Sequence, residues 1–188
     1  PCLYIVPIDL TKNDTVAWYV MRVTYQRELS AMETLTKENI RSYVPTTRVR
    51  KRNAFGMAIG WKTEALVHNY IFIYSTLPII QQIKTHKIQH LRYLMAKDSS
   101  GEIKPQIVPD KQMQDFIKVT ESRGSKQLDP AIDLRKGDRV RILTGPFEGV
   151  EGIFIQMPNR HEKRVVVKIE GIAAVATTVL KSTDVIKL

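Results

Sequence analysis

Beyond residue 134 the sequence loses any helical period, and this feature most limits what the chain can fold into. RVRIL (139–143), GIFIQM (152–157), RVVVKI (164–169), AAVATTVL (173–180) and DVIKL (184–188) are short runs rich in β-branched residues, separated by glycines and turns. Five such runs within the last 54 residues predict a small closed β-barrel, because closure removes the exposed strand edges. In the first run Val140 and Ile142 alternate with Arg139, Arg141 and Leu143, so the two sets face opposite sides of a sheet. Gly137 and Gly145 read as turn positions, and Gly149 and Gly152 as places where the chain reverses tightly. No helical period competes with these runs, which favours a stable barrel.

Upstream the pattern switches between periods. AWYVMRVTY (17–25) reads as a strand. Leu29, Met32, Leu35 or Thr36, and Ile40 recur at helical spacing, predicting a helix over 28–40. SYVPTTRVRKR (42–52) reads as a second strand, bent or on an edge where Pro45 interrupts the ladder. NAFGMAIG (53–60) reads as a hairpin tip, and WKTEALVHNYIFIYS (61–75) as the return, in one or two strands. A second helix follows Pro78, with Ile79, Ile80, Ile83, Lys87 or Ile88, and Leu91 on its stripe. A short strand at 92–96, a turn at 98–102 and a third helix at 110–118 complete the order, with Asp110 as the cap and Met113, Phe116 and Ile117 inward. The fold class is α+β: an antiparallel sheet with flanking helices, followed by the barrel. The expected organisation is a lead-in over 1–15, a first domain over 16–119, a Gly/Ser/Pro-containing linker over 120–134 and a second domain over 135–188.

The charge is uneven. Between Asn39 and Lys97 there are ten Lys or Arg and one acid, Glu64, so this stretch holds nine of the chain's ten net positive charges. Such a concentration points to a polyanion, usually nucleic acid, although a charged block can also be plain solvated surface. Catalysis finds no support. There is no phosphate-cradling loop and no nucleophile elbow. His86 and His90 stand four apart without an acidic third ligand, and His68 and His161 pair with nothing. The single cysteine, Cys2, excludes an internal disulfide and a cysteine-built zinc site. The reading is a non-enzymatic protein with no cofactor and no metal. No apolar run approaches the roughly 18 residues of a membrane span. The apolar opening PCLYIVPIDL lacks a basic leader and a cleavage site, so a cytoplasmic location is expected, with the true start of the chain open because it begins at Pro1.

Residues 136–154, KGDRVRILTGPFEGVEGIF, resemble the KOW motif, in which a strand, a glycine-rich turn and a second strand follow one another. KOW barrels, which are SH3-like, occur in ribosomal proteins as well as in transcription factors. The first half separates these. AWYVMRV (17–23), an amphipathic helix and YVP (43–45) resemble the opening of the NusG amino-terminal domain. VHNYIFIY (67–74) is similar to that family's proline/asparagine–glycine–tyrosine strand, and IVPD (107–110) fits its domain end. Together these cover about residues 16–188. The chain is therefore identified as similar to the NusG family. Asn69 in place of glycine and the basic middle bring it nearer to specialised, RfaH-like members.

The resemblance implies a transcription elongation and antitermination factor, monomeric, that docks on the clamp helices of RNA polymerase. It also implies suppression of pausing or termination on chosen operons such as surface-polysaccharide loci. Tyr70 and Phe72 lie on the strand that carries the family's apolar docking patch, with Leu66 and Val67 beside it. Core filling is the competing role for these aromatics, above all for Phe72. Family members also touch the non-template DNA strand, for which the candidates are Arg22, Arg27, Arg48, Arg50, Lys51 and Arg52. Arg48 and Arg50 alternate in phase and should project from one face. His86, with Lys84, Thr85 and Lys87, lies where specialised members touch the opposite polymerase wall, but carries no clear copy of their motif. Phe147, in the Gly-Pro-Phe turn, is either the anchor for a small-subunit ribosomal protein or Rho, or a plug at one end of the barrel. The alternative function is that of an RNA-binding, ribosome-associated KOW protein.

Overall fold

The computed structural model describes residues 15–97, 100–122, 126–128, 137–157, 162–169 and 171–188. The lead-in up to residue 14, part of the 98–102 turn and most of the 120–134 linker lie outside them. In the first part the elements run β1 (Ala17–Val23), α1 (Glu28–Lys37), β2 (Arg41–Tyr43), β3 (Thr46–Arg52), β4 (Ala58–Ala65), β5 (Tyr70–Ser75), α2 (Leu77–His86), β6 (Leu91–Tyr93), β7 (Met95–Lys97), β8 (Ile103–Pro105), β9 (Ile107–Val108) and α3 (Asp110–Glu121). They continue as β10 (Lys126–Leu128), β11 (Asp138–Ile142), β12 (Glu151–Gln156), β13 (Lys163–Ile169), β14 (Ala173–Ala176) and β15 (Val185–Lys187). No helix among the described residues is long and apolar enough to cross a membrane.

β1 organises the first part because it is apolar on both faces. It pairs antiparallel with β5 on one side and with β6 and β9 on the other, and β2 extends the sheet beyond β5. Successive side chains on a strand point to opposite faces. Tyr19, Met21 and Val23, with Ile71 and Ile73 of β5, meet Ala31 and Leu35 of α1 and Leu77, Ile80 and Ile83 of α2. Trp18, Val20 and Phe72 point the other way, onto Met113, Phe116 and Val119 of α3. α1 ends at Lys37, and two residues on Asn39 takes a φ of 56°, a left-handed conformation that asparagine tolerates.

The second part is a six-stranded antiparallel sheet in the order β10-β14-β13-β12-β11-β15. All five runs expected there form strands, with Val140 and Ile142 buried and Arg139 and Arg141 exposed as the alternation requires. The expected closed barrel is not what the pairing gives: among the described residues the ladder is open, its two ends being β10 and β15. β10 itself comes from the stretch expected to be linker, and is held by backbone pairing of Lys126 to Leu128 with β14. The apolar cluster of this sheet, including Val140, Phe147, Val150, Val165 and Val175, runs on without a break into Phe116 and Phe72. α3 is therefore covered on two sides.

Several expectations change in detail. The 42–52 strand divides at Val44 and Pro45 into β2 and β3, which belong to different sheets. Of the one or two strands expected for the return there are two, β4 and β5, the first beginning earlier, at Ala58. The third helix extends to Glu121. Pro109, not Asp110, holds its N-cap position, with Asp110 in the first turn. Gly149, with φ 82°, does make a turn, but Gly152 lies inside β12. A Cβ there would stand 2.5 Å from the Val166 carbonyl oxygen, so the position requires glycine for close strand approach.

Candidate functional site

β3 and β4 form a two-stranded ribbon of their own, paired from Thr46↔Ala65 to Arg52↔Ala58. It carries five cations, Arg48, Arg50, Lys51, Arg52 and Lys62, and one acid, Glu64, which is engaged by Lys62. All five cations are exposed. Arg48 and Arg50 do share a face, and both gather at one ring. Their guanidinium carbons lie 5.8 and 5.5 Å from the centroid of Trp61, the residue paired with Arg50. A cation over an aromatic face is attracted by its quadrupole, which draws both guanidinium groups toward the ring. Lys51 points to the opposite face.

Arg22 and Arg27 belong to a different place, the corner where β1 leaves the main sheet for α1. Arg22 pairs across the sheet with Arg92 of β6. Between β1 and α1, Tyr25 and Gln26 adopt φ of 63° and 52°, a left-handed conformation costly for residues with a Cβ. Tyr25 is 82% exposed, and the Arg27 guanidinium carbon lies 5.6 Å from its ring centroid. The corner is pinned by Glu28, a buried carboxylate that accepts the backbone N–H of Asn69, while Val23 N–H donates to the Asn69 carbonyl at 2.8 Å. His90 completes it. Burial first, then Arg27 and Arg92, holds its imidazole below the ordinary histidine value, so it stays neutral among cations.

The aromatic strand divides its residues. Tyr70 and Phe72 do face one side of β5, but only Tyr70 is half-exposed. Phe72 is fully buried, its ring 5.7 Å from that of Phe116. Leu66 is half-buried and Val67 buried. The surface expected of Phe72 and Val67 is therefore taken by α3. Phe147 is likewise 2% exposed and packs inside the second sheet, so in this arrangement it plugs the core instead of standing on the turn. That turn also faces α3: Lys118 donates to the Glu148 carbonyl and Lys111 to the Gly149 carbonyl, each at 2.7 Å.

The profile of the family described as transcription termination factor NusG matches residues 16–117, more than half of the chain. The chain belongs to the NusG family. It is in kind a transcription elongation factor, and the ribbon, the β1–α1 corner and the Tyr70 strand all lie inside the matched stretch. The chain matches no curated protein sequence. Among solved structures it resembles that of "Domain interaction in Thermotoga maritima NusG", at 20% identity and a TM-score of 0.46, over 93% of this chain and 98% of that one. It also resembles "MjSpt4:Spt5 complex conformation B", at 15% identity and a TM-score of 0.27, over 91% and 96%. At those scores the family assignment rests on residues 16–117 alone.

Within this NusG-family chain, Trp61, Tyr25, Arg92 and His90 join the predicted cations at the two surfaces. Trp61 carried a signal, since it sits on the return of a hairpin whose outgoing strand holds Arg48, Arg50, Lys51 and Arg52. Tyr25 carried none, because its exposure follows from a left-handed turn that composition does not mark. Among the described residues no three His, Cys, Asp or Glu come together as metal ligands.

Proposed function

We propose that this NusG-family chain acts as an antitermination factor. It binds RNA polymerase at the clamp helices through the β5 surface, with Tyr70 as anchor and Leu66 beside it, and contacts the non-template DNA strand. A half-buried tyrosine beside a fully packed core is a suitable anchor, since aromatic groups supply much of an interface's energy. Arg48, Arg50, Lys51 and Arg52 on the ribbon, and Arg22 and Arg27 at the corner, are the DNA contacts. The two parts, 16–119 and 135–188 joined through 120–134, correspond to the NusG amino-terminal domain and a KOW domain. The latter takes a small-subunit ribosomal protein or Rho as its partner. Service of particular operons, in the manner of RfaH-like members, completes the reading.

The observation that carries this reading is the ribbon: five exposed cations against one acid, on an element that joins the apolar core only through Ala65 at its base and lies inside the family-matching stretch. Phosphate contacts of this kind give affinity without demanding a sequence. The test is co-purification with RNA polymerase, comparing the natural chain with Tyr70→Ala. Capture by the natural chain and its loss in the variant is the expected result. A chain that ignores polymerase but binds free ribosomal RNA tightly would instead be a ribosome-associated protein.

A further inference from the structure

The ribbon joins its cations to apolar side chains that no other described residue covers. Phe55, Met57, Ile59 and Trp61 occupy alternate positions from the tip into β4, and all are exposed. The tip is ordered: Asn53 Oδ1 accepts the backbone N–H groups of Phe55 and Met57, both at 3.0 Å, and Arg52 donates to the Gly56 carbonyl at 2.7 Å. A frame fixed in this way loses little freedom on binding.

The occupant must therefore offer negative charge and flat apolar faces together. An unpaired nucleic-acid strand does so, since its bases stack on aromatic rings while its phosphates meet arginine. A duplex hides the bases and would use only the cations. We propose that the β3–β4 ribbon holds an unpaired DNA strand, with Trp61 as the stacking platform for a base and Arg48 and Arg50 binding the phosphates on either side. Trp61 remains 58% exposed between the two guanidinium groups, so its ring is positioned without being covered. This assignment rests on the reading of the ribbon as a DNA contact, and adds to it a base-stacking residue and a requirement for unpaired bases.

The experiment titrates the full chain with single-stranded oligothymidylate, the matching duplex and oligouridylate, reading tryptophan emission and its accessibility to acrylamide. Trp18 is buried and supplies a constant background, so changes report Trp61. The expected result is quenching and shielding by the single DNA strand, with binding weakened about tenfold in Trp61→Ala and largely kept in Trp61→Phe. The salt dependence should be unchanged in Trp61→Ala and shallower in Arg48→Ala/Arg50→Ala. Binding without quenching, an unaffected Trp61→Ala, or preference for duplex or RNA would each overturn the proposal. The quenching measurement needs no variant and stands even if Trp61→Ala folds poorly. Failure to bind any strand removes the DNA-contact reading as well, whereas polymerase capture by the same proteins tests docking separately.

Discussion

The Asp115 carboxylate on α3 accepts the backbone N–H of Glu151, the first residue of β12, at 3.0 Å. The same buried carboxylate takes the Lys111 ammonium at 2.6 and 2.8 Å, and Lys111 goes on to the Gly149 carbonyl. One side chain thus joins the helix that closes the first sheet to the second sheet. Asp115→Ala should cost about 1–3 kcal/mol, since it strands the Glu151 N–H at this seam. Asp115→Asn, which keeps an acceptor, should cost less. Chemical denaturation gives the stability, and amide exchange at Glu151 reports the bond itself. Unchanged exchange in the alanine variant would contradict this account.

Tyr70 and Phe72 stand two apart on one face of β5, and their opposite burial predicts opposite phenotypes. Phe72→Ala empties a fully packed site against Phe116 and should cost about 3–5 kcal/mol. Tyr70→Ala removes a half-exposed ring and should cost about 1 kcal/mol, yet lose polymerase capture. Thermal melts and co-purification on both variants separate the two roles.

The same pair shows what could be read from sequence and what could not. Alternation along YIFIYS put Tyr70 and Phe72 on one face, because a strand has a fixed period of two. Which face stays open depends on α3, forty residues further on, and no local period encodes that packing. Phe147 was ambiguous for the same reason, since a turn aromatic is buried or exposed according to what lies beneath it. The strands after 134 were legible through their β-branched runs. β10 was not, because Lys126 to Leu128 are held by backbone pairing in a polar stretch. On the ribbon, the alternation of Arg48 with Arg50 predicted a shared face. Their convergence on Trp61 needed the register of β3 against β4.

Gly149 and Gly152 lie three residues apart and should respond differently to alanine. At Gly149 a Cβ meets nothing within 4 Å, so only the left-handed φ of 82° is penalised, at about 1–2 kcal/mol. At Gly152 the Cβ would meet the Val166 carbonyl at 2.5 Å and the Val165 side chain at 2.7 Å, forcing β12 away from β13. That overpacking should cost about 1–3 kcal/mol. Amide exchange discriminates them: only Gly152→Ala should speed exchange along the Ile153↔Val166 ladder.

Glu151 predicts an acid response. Its hydrogen bond from the Arg141 side chain, at 2.7 and 3.0 Å, outweighs burial, and the nearby charges of Arg141, Lys111 and Arg139 add to it, so the carboxyl is held below the usual glutamate value. A carboxyl depressed in the folded state stabilises it above the unfolded pKa, and this contribution is lost as pH falls through the folded value. Glu151→Gln should therefore be less stable than the natural chain near neutrality and approach it in acid. Melting temperatures of both across the carboxylate range test this, and parallel curves would refute it.

Asn69 sits at φ 67° immediately before Tyr70, a left-handed position where only glycine and short polar residues rest without strain. This explains how asparagine can occupy a place where the family's motif has glycine. Its backbone N–H is held by the Glu28 carboxylate and its carbonyl by the Val23 N–H, so the conformation is enforced from α1 and β1 together. Asn69→Gly should be neutral to within about 0.5 kcal/mol, while Asn69→Ala should lose about 1 kcal/mol. Glu28→Ala should cost about 1–3 kcal/mol, because it removes the acceptor of a partly buried N–H. By loosening the entry to β5 it should also weaken polymerase capture without touching Tyr70. Thermal melts rank the three variants, and equal stability of Asn69→Gly and Asn69→Ala would show that backbone geometry does not select the residue here.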